Sequence, residues 1–258
     1  MSYKDIMISL WNQVVIITGG SRGIGAAAAV QFAKAGADVV ITYTKNAKAA
    51  AAVIESVKNE WRDGLAVKAD VSKPENAKKV VQQTIKKFGK VDILVNNAGI
   101  WTYGKIGSMS EKVWKETMQV NLDGMFYMTN AVVPYMKKQR SGKIINISST
   151  AGQRGEAEHS HYAASKGGMI SFTKAIATEL GPFNINVNSV APGWVDTDLN
   201  DSVFSDKKYK EQERKKIPIQ RIPTADDIAG PVIFLASELS RHITGEIMNV
   251  NGGSVLVG

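Results

Sequence analysis

Seven short runs of consecutive, mostly apolar residues occur along the chain, and many of their side chains are β-branched. Runs of this kind predict strands that are buried on both faces of a sheet. Segments with the apolar spacing of helices separate them. The predicted strands are residues 14–17, 39–42, 65–69, 93–95, 144–147, 186–190 and 247–250.

The intervening segments carry the start and stop signals of helices: capping side chains, proline in a first turn, and glycine after a last turn. The predicted helices are residues 26–35, closed by Gly36; 47–60; one opened by the capping-box pattern of residues 72–75 and followed by Gly89; one from a Ser110 cap through Asn121 and beyond, with Pro134 near its end; 162–180, stopped by Gly181 and Pro182; and 224–236, capped by Thr224.

Strands and helices alternate throughout, which predicts a parallel sheet with helices on both faces. The expected fold class is therefore α/β, a single-domain, doubly wound, Rossmann-like sheet. The chain has 258 residues and shows no repeat, linker or low-complexity segment, so we expect one domain over residues 1–258. Sheets of this kind bind ligands at the carboxyl ends of their strands.

A glycine-rich turn follows the first predicted strand and opens the first helix. Its spacing is Gly19-x-x-x-Gly23-x-Gly25. Glycines in such a turn allow the backbone to approach a pyrophosphate, and the helix N-terminus presents unpaired N–H groups to it. Asp70, just after the third strand, fits a ligand-site residue and an ordinary turn carboxylate equally well.

Tyr162 and Lys166 are four residues apart, which places them on one face of a helix. Forming a phenolate at neutral pH costs roughly 4 kcal/mol, because a free tyrosine has a pKa of about 10. A nearby cation lowers that cost and makes the phenol a usable proton donor and acceptor. A lone Tyr-x-x-x-Lys pattern also arises when the two residues merely share a helix face.

The order and spacing of several motifs resolve this ambiguity. Residues 18–25, Asn96-Asn97-Ala98-Gly99, Asn121, Ser149, Tyr162, Lys166 and Pro192-Gly193 occur in register. The series resembles the short-chain dehydrogenase/reductase family over nearly the whole chain. Within it, the chain is most similar to the 3-oxoacyl-acyl-carrier-protein reductase branch. The resemblance implies one NAD(P)-binding catalytic domain.

The resemblance also implies catalytic roles. Tyr162 is expected to be the general acid in carbonyl reduction and the base in alcohol oxidation. Lys166 is expected to lower the pKa of Tyr162 and to bind the nicotinamide ribose. Ser149, thirteen residues before the tyrosine, is expected to bind the substrate oxygen in preference to Ser148. Asn121 is expected to anchor a water molecule that links Lys166 to solvent.

The expected cofactor is NADP(H). An NAD-specific site places an acid at the end of the second strand, but Tyr43 stands there and Asp38 lies at the strand's beginning. Arg22, Thr44 and Lys45 are expected to cradle the 2′-phosphate. The positions implied for cofactor binding are Gly19, Ser21, Arg22, Gly23, Ile24, Gly25, Thr44, Lys45, Asp70, Val71, Asn97, Ala98, Gly99, Tyr162, Lys166, Pro192, Gly193, Val195 and Thr197.

Composition narrows the class of protein. The net charge is +8, but the lysine pairs are scattered, which argues against a nucleic-acid interface. There are no cysteines, and no apolar segment is long enough for a signal or a membrane span. We expect a cytoplasmic protein with no membrane or nucleic-acid partner. His159 and His161 are two apart and lack further ligands, so no metal site is expected and both should line the substrate mouth or stay in solvent.

The expected function is NADP(H)-dependent interconversion of a ketone and a secondary alcohol, with a 3-oxoacyl thioester as one substrate. A sugar, polyol or small ketone is the alternative, and a regulator that binds cofactor without turnover is another. The sequence does not name the substrate. Residues expected around it are Trp101, Tyr103, Gln153, Glu156, Glu158, His159 and Trp194.

Three expectations concern parts of the chain beyond the catalytic residues. The charged segment 198–217 has few apolar residues and is expected to be a mobile lid. Of two basic positions that dock carrier proteins in the similar branch, Arg140 matches one and Phe183 replaces the other. The family pattern implies a homotetramer built from the helices near residues 110–135 and 162–180 and the C-terminal segment.

Overall fold

The computed structural model of the protein describes residues 8–257, apart from the side chains of Asp201 and Ser202. The described chain forms one parallel sheet of seven strands in the order β3-β2-β1-β4-β5-β6-β7. This confirms the expected doubly wound α/β fold in a single domain. The strands are β1 (Val14–Ile17), β2 (Asp38–Tyr43), β3 (Gly64–Lys68), β4 (Ile93–Asn96), β5 (Gly142–Ile147), β6 (Ile185–Pro192) and β7 (Ile247–Val250).

Helices connect consecutive strands and cover both faces of the sheet. Their bounds are α1 (Gly23–Lys34), α2 (Ala47–Asn59), α3 (Pro74–Phe88), α4 (Glu111–Met118), α5 (Gly124–Gln139), α6 (Ala151–Arg154), α7 (Ser160–Leu180), α8 (Asp201–Phe204), α9 (Lys207–Lys216) and α10 (Ala225–Ala236). The short helices α6, α8 and α9 were not predicted. For the predicted strands and helices other than the long helix after Ser110, the observed ends differ from the predicted ends by at most three residues.

Two apolar cores explain why the strands read as continuous apolar runs. On one face, Phe32 of α1 and Val232 of α10 pack in one cluster with Ile17 of β1. On the other face, Met128 of α5 belongs to a second cluster with Ile16. Successive strand side chains point to opposite faces, and Ile16 and Ile17 are both fully buried. A strand between two helical layers therefore needs apolar residues at every position.

The long helix expected after Ser110 is interrupted. Ser110 does cap α4, because its side chain accepts a hydrogen bond from the Val113 N–H. A π-helical turn (Gln119–Asp123) then separates α4 from α5, with the Gly124 N–H bonded to the Gln119 carbonyl. The prediction of one continuous helix was wrong at this point. The interruption places Asn121 in a turn of irregular geometry at the edge of the site.

The capping box expected at residues 72–75 is also absent from the structure. Lys73 is the N-cap of α3 and makes no side-chain cap, while Pro74 occupies the first turn. Ser72 instead donates its hydroxyl hydrogen bond to Asp70 at 2.7 Å. A capping box forms at α10, where Thr224 and Asp227 bond reciprocally. The expected stop of α3 is confirmed, since Gly89 has a left-handed φ of 77°.

Candidate active site

A cleft of about 730 Å³ lies at the carboxyl ends of the strands. Gly19 follows β1, Asp70 follows β3, Asn97 follows β4 and Ser149 follows β5, and all four line the cleft. The strand order reverses between β1 and β4. This reversal is the place where open α/β sheets bind their ligands.

The glycine-rich turn is held tightly against the loop that follows β4. Gly19 has φ of 64°, and a Cβ there would lie 3.1 Å from the Ala98 Cα. A Cβ on Gly25 would lie 2.5 Å from Asn97 Nδ2, so only glycine fits. Asn97 Nδ2 donates to the Thr18 carbonyl at 2.9 Å, and the Gly19 N–H donates to Thr42 Oγ1 at 3.1 Å. The turn is thereby fixed with its backbone facing the cleft.

Nearly all of the residues expected to bind cofactor come together in this cleft. Gly25 does not line it, because the residue lies behind the turn against Asn97. Asn121, expected to be catalytic, likewise lies behind the cleft wall. The expected cofactor residues that line the cleft are Gly19, Ser21, Arg22, Gly23, Ile24, Thr44, Lys45, Asp70, Val71, Asn97, Ala98, Gly99, Tyr162, Lys166, Pro192, Gly193, Val195 and Thr197.

One corner of the cleft is suited to a phosphate on the ribose. Arg22, Thr44 and Lys45 line it together with Tyr43. Asp38 stands at the other end of β2 and is bound there by Arg62, with 2.8 Å between Arg62 Nη2 and the carboxylate. The corner therefore presents two cations, and the nearest acid on β2 is engaged elsewhere. The glycine cradle and this corner fit a phosphorylated dinucleotide.

Ser149 and Ser148 have different surroundings, although they are adjacent. Both serines line the cleft, and the Ser149 side chain is the one that interacts with the Tyr162 phenol. The Ser148 hydroxyl donates to the Val190 carbonyl at 3.0 Å and accepts from Ser189 Oγ at 2.7 Å. Ser148 ties β5 to β6, so Ser149 is the serine that is able to meet a ligand.

Lys166 is buried close to Tyr162. Its Nζ donates to the Ile147 carbonyl at 2.7 Å and lies 5.7 Å from the centroid of the Tyr162 ring. Burial lowers the pKa of Lys166 to about 8. Burial also raises the pKa of Tyr162 to about 12, a rise that the hydrogen bond with Ser149 opposes and the charge of Glu156 reinforces.

Burial of the phenol sets the direction of the Tyr162 pKa here, and a lowering effect of the Lys166 charge stays a prediction. The desolvation of the phenol outweighs the effect of its hydrogen bond. Meanwhile, the ammonium group is bound to a carbonyl of β5. At neutral pH the tyrosine is consequently the neutral phenol, which is the form able to donate a proton.

Asn121 is fully buried and joins the π-helical turn to the cleft wall. Its Oδ1 accepts from the Ile100 N–H at 2.8 Å, and its Nδ2 donates to the Ile100 carbonyl at 3.0 Å and to Ser165 Oγ at 3.1 Å. A Cβ on Gly99 would lie 3.3 Å from Asn121 Oδ1 and 3.6 Å from Lys166 Nζ. Asn121 and Lys166 thus flank Gly99 closely.

Only some residues expected around the substrate line the cleft. Trp101, Glu156 and Trp194 do. The other four side chains do not line it: Tyr103, Gln153, Glu158 and His159. Gln153 Nε2 donates to Asn249 Oδ1 at 2.7 Å, and the His159 ring stacks on Trp101 with 4.2 Å between centroids.

The expectation that His161 lies at the substrate mouth or in solvent is wrong. Its side chain is fully buried, and Nε2 lies 3.0 Å from Thr102 Oγ1. Burial lowers the pKa of His161, with the neighbouring His159 adding to that effect. Among residues 8–257, no group of three or more His, Cys, Asp and Glu side chains is arranged to hold a metal ion.

The charged segment has more apolar anchors than its sequence indicated. Phe204 of α8 and Ile217 after α9 are buried, with 7% and 3% of their surfaces exposed. Phe204 packs against Trp194, with 5.4 Å between ring centroids, and Lys210 forms a 2.7 Å ion pair with Asp196. The expectation of few apolar anchors was wrong, and these contacts hold the two helices over the cleft.

Four residues that support or line the site were not identified from the sequence. Thr18 Oγ1 accepts from the Asn97 and Ala98 N–H groups, and Thr42 binds the Gly19 N–H. Ser165 binds Asn121, and Glu213 lines the cleft from α9. Thr18 and Thr42 interrupt or end apolar runs, which is a usable signal. Glu213 lies among many charged residues, and nothing in the sequence distinguishes it.

The fold and site together define an α/β dinucleotide-binding domain with serine, tyrosine and lysine side chains at the cofactor cleft. Residues 19–254 match a family model described as enoyl-(acyl carrier protein) reductase. The chain belongs to the short-chain dehydrogenase/reductase family. It is accordingly an oxidoreductase of the kind that acts on CH–OH and keto groups.

Several proteins named as 3-oxoacyl-[acyl-carrier-protein] reductases match over nearly their whole length. A 3-oxoacyl-[acyl-carrier-protein] reductase FabG from Staphylococcus epidermidis is 39% identical over 94% of this chain and 98% of its own. A reductase of the same name from Chlamydia pneumoniae is 41% identical over 95% and 98% of the two chains. The 3-oxoacyl-[acyl-carrier-protein] reductase of Synechocystis sp. is 38% identical over 97% and 100%.

A solved structure supports the fold assignment. A protein of Sinorhizobium meliloti 1021, described provisionally as a short-chain alcohol dehydrogenase, superposes with a TM-score of 0.91. The two sequences are 32% identical, and the match covers 95% of this chain and 97% of that one. In the part of the chain that the structure describes, no helix is long and apolar enough to cross a bilayer.

Proposed function

We propose that this protein is an NADP(H)-dependent oxidoreductase that interconverts a ketone and a secondary alcohol, with Tyr162 as general acid and base. The observation that carries the proposal is the arrangement of Tyr162, Ser149 and Lys166 in one cleft with the glycine-rich turn. Bound NADPH supplies the hydride in such a reaction. The protein supplies orientation and the proton.

Each catalytic side chain has a distinct task in this proposal. Ser149 and Tyr162 form hydrogen bonds to the substrate oxygen, which orients the carbonyl carbon toward the cofactor. The Tyr162 hydroxyl gives its proton to that oxygen as negative charge develops on it. Lys166, with a pKa of about 8, is able to return a proton toward the phenolate. A water relay past Asn121 completes the proposed proton path.

The protonation state of Tyr162 favours carbonyl reduction over alcohol oxidation at neutral pH. Because burial raises the pKa of Tyr162 to about 12, the resting group is the acid that reduction requires. Oxidation requires the phenolate, which this environment disfavours.

The corner formed by Arg22, Thr44 and Lys45 supports NADP(H) rather than NAD(H). Contacts from cationic side chains to a 2′-phosphate are charge-assisted hydrogen bonds, worth about 1.5–3 kcal/mol each. An acid at the end of β2 would repel that phosphate, and Tyr43 stands there instead. The cofactor assignment depends on these residues and on the family membership.

The relatives' names make a 3-oxoacyl thioester the first substrate to test. In the described chain, however, Arg140 and Phe183 lie together, with 5.6 Å from the Arg140 guanidinium to the Phe183 ring. Phe183 follows the last turn of α7, whereas Tyr162 lies in its first turn, roughly 27 Å away along the helix. Phe183 offers an acidic carrier protein no charge. A sugar, polyol or small ketone is therefore the second candidate.

The decisive experiment measures NADPH and NADH oxidation with a carbonyl panel that includes a 3-oxoacyl thioester, an enoyl thioester, a keto sugar and a diketone. Tyr162→Phe should lose at least a hundredfold in kcat while still binding NADPH, because only the transferable proton is removed. Tyr135→Phe, on α5 away from the cleft, is the matched control. Substantial turnover by Tyr162→Phe would show that another group is the acid.

The proposal extends to the location of the enzyme and to its assembly. We expect a cytoplasmic enzyme whose partners are its small-molecule substrate and further copies of the same chain. The proposed assembly is a homotetramer. No role with nucleic acid or membrane is proposed.

A further inference from the structure

Glu156 is a carboxylate on the wall of the catalytic cleft, in the loop between α6 and α7. Its side chain is only 17% exposed. Oε1 accepts a hydrogen bond from Trp101 Nε1 at 3.3 Å and lies 3.8 Å from His159 Nδ1. The family's proton-transfer chemistry, as proposed above, makes no use of this acid. Its position therefore calls for a separate explanation.

The hydrogen-bonding capacity of Glu156 is largely unused within the described chain. An ionised carboxylate offers about four acceptor sites, and a partly buried one is costly unless donors fill them. Among residues 8–257, the only hydrogen bond to this carboxylate comes from Trp101. Consistent with this, burial raises the pKa of Glu156, against smaller opposing effects of His159, Trp101 and Arg154.

The neighbouring charged groups leave this capacity open to a ligand. Arg154 is exposed and turns its Nη1 to the Gly155 carbonyl at 3.1 Å. His159 Nδ1 lies 3.0 Å from the Ala157 carbonyl, which is the shorter of its two contacts. Glu213, across the cleft on α9, is a second carboxylate and is paired with Lys216 at 2.6 Å. The charge of Glu213 also acts on Glu156, whereas Arg154 and His159 make their closer contacts with backbone carbonyls.

The location of Glu156 restricts where a donor must sit on the ligand. Glu156 lines the same cleft as Ser149 and Tyr162, and its charge acts on the Tyr162 phenol. Trp101 and Trp194 form flat apolar walls beside it, with 5.7 Å between their ring centroids. A ligand whose carbonyl reaches Tyr162 therefore brings its adjacent carbon atoms close to Glu156.

We propose that Glu156 is a specificity residue that accepts a hydrogen bond from a hydroxyl or ammonium group carried beside the reacting carbonyl. The substrate is then a ketone bearing a donor, such as a hydroxylated or amino ketone, rather than an unsubstituted 3-oxoacyl chain. This inference rests on the proposed ketone–alcohol reaction, but not on a thioester as its substrate. Trp101 and Trp194 cover the C–H faces of the same substrate.

The test compares kcat/KM for four small ketones with NADPH: hydroxyacetone, aminoacetone, butanone and the S-ethyl thioester of 3-oxobutanoic acid. The wild-type protein should prefer a donor-bearing ketone to butanone by at least about tenfold. Glu156→Gln should lower kcat/KM for that ketone roughly ten- to hundredfold, the equivalent of a charged hydrogen bond. Its activity on butanone should change little.

The variants distinguish the two donor types and provide a control. A hydroxyl retains part of its bond to the glutamine amide oxygen, whereas an ammonium loses its charge partner and should suffer the larger loss. Glu158→Gln is the matched control, because Glu158 is exposed two residues later and does not line the cleft. Thermal unfolding and NADPH binding should be unchanged in both variants.

Equal losses on all four ketones in Glu156→Gln would assign Glu156 a structural role through Trp101 and overturn the inference. A wild-type preference for butanone or the thioester would also overturn the inference about Glu156. This outcome does not require a folded variant, and it would leave the proposed ketone–alcohol reaction unaffected. Absence of turnover on every carbonyl compound, these four and the wider panel, would overturn the proposed function and this inference together.

Discussion

At the residue scale, the most consequential feature is that a buried lysine and a buried tyrosine share the site. Lys166 is 4% exposed, and burial lowers its pKa from 10.5 to about 8. A group with a lowered pKa in the folded state binds fewer protons there than in the unfolded chain. Stability should therefore rise with pH between about 8 and 10.5, because unfolding in that range requires Lys166 to take up a proton.

Lys166→Met should remove this pH dependence. Between about pH 7.5 and 9.5, the free energy of unfolding of the wild-type protein should gain on the order of 2 kcal/mol relative to the variant. Urea unfolding at the two pH values measures the difference. Lys174→Met, an exposed lysine on the same helix, should follow the wild type. A wild-type gain no larger than that of Lys166→Met would mean that Lys166 titrates normally.

Tyr162 acts in the opposite direction and at higher pH. Its pKa is raised to about 12, so its contribution to stability is complete below about pH 10 and is lost as pH rises toward 12. The Lys166 comparison is therefore made below pH 10, where the tyrosine is protonated in both states. The two buried groups leave a window in which only the lysine changes charge.

Arg22 is expected to determine the preference for NADPH over NADH. Arg22→Ala should raise KM for NADPH about ten- to hundredfold and leave KM for NADH nearly unchanged, because only NADPH carries the 2′-phosphate. Lys48→Ala is the control, since it removes an exposed charge near the same corner without lining the cleft. Equal efficiency of the native enzyme with both cofactors would contradict this interpretation of the corner.

The family resemblance identified most of the residues that line the cofactor side of the cleft, but not their interactions. The serine-to-tyrosine spacing of the family favoured Ser149 over Ser148, and the contacts of the two serines differ in the same sense. The bond from Lys166 to the Ile147 carbonyl could not be foreseen, since it depends on the distance between α7 and β5. The same is true of His161, whose burial follows from the packing of Thr102 and Gly104 around it.

At the element scale, the π-helical turn between α4 and α5 could not be predicted from the spacing of apolar residues. Apolar spacing across residues 110–135 is compatible with one helix, and no glycine or proline marks a break before Gly124. The interruption coincides with two tertiary contacts. The Asn121 side chain binds the Ile100 backbone. Gly124 lies so close to Val71 that a Cβ on the glycine would be 3.2 Å from Val71 Cγ2. Contacts between distant segments are not visible in local periodicity.

The helices α8 and α9 are held against the rest of the chain by a small number of contacts, among them the buried side chain of Phe204. Phe204→Ala should loosen both helices, because a buried Phe→Ala change costs about 3–5 kcal/mol and Phe204 packs against Trp194. Hydrogen exchange of Lys207–Lys216 amides should become faster, and KM for the carbonyl substrate should rise more than KM for NADPH.

The matched control for this change is Val203→Ala in the same short helix, where the side chain is only partly buried. It should leave exchange in α9 close to that of the wild type. Unchanged exchange in Phe204→Ala would show that α9 is held by other contacts, such as Ile217 or the Lys210–Asp196 ion pair. Exchange in α10 serves as an internal reference in each sample.

At the scale of the whole molecule, the fold was predictable because its strands lie between two helical layers. That arrangement demands apolar residues at every strand position, and the seven predicted runs are the seven strands of the described sheet. The short helices α6, α8 and α9 were missed because helices of this length in polar segments have no periodic apolar face. The cleft position followed from the fold class, whereas its substrate wall did not.

The helices α5 and α7 present an outer face that a single chain does not cover. Met125, Met128 and Met169 on these helices are buried within the chain itself. Phe126, however, is 44% exposed and contacts Phe172 edge-on, with 6.3 Å between ring centroids. Trp114 on α4 is 41% exposed as well. Exposed aromatic residues grouped on neighbouring helices are typical of a protein interface.

We expect this face to hold the chain in a homotetramer. Light scattering at micromolar concentration should give about four times the 27.9 kDa mass of one chain. Phe126→Glu should lower that mass, because a charge buried in an interface without a partner is strongly unfavourable. Trp61→Glu is the control: Trp61 is 94% exposed in the loop after α2, on a different part of the surface. A monomeric mass for the wild-type protein would refute the assembly, and a tetrameric Phe126→Glu would place the interface elsewhere.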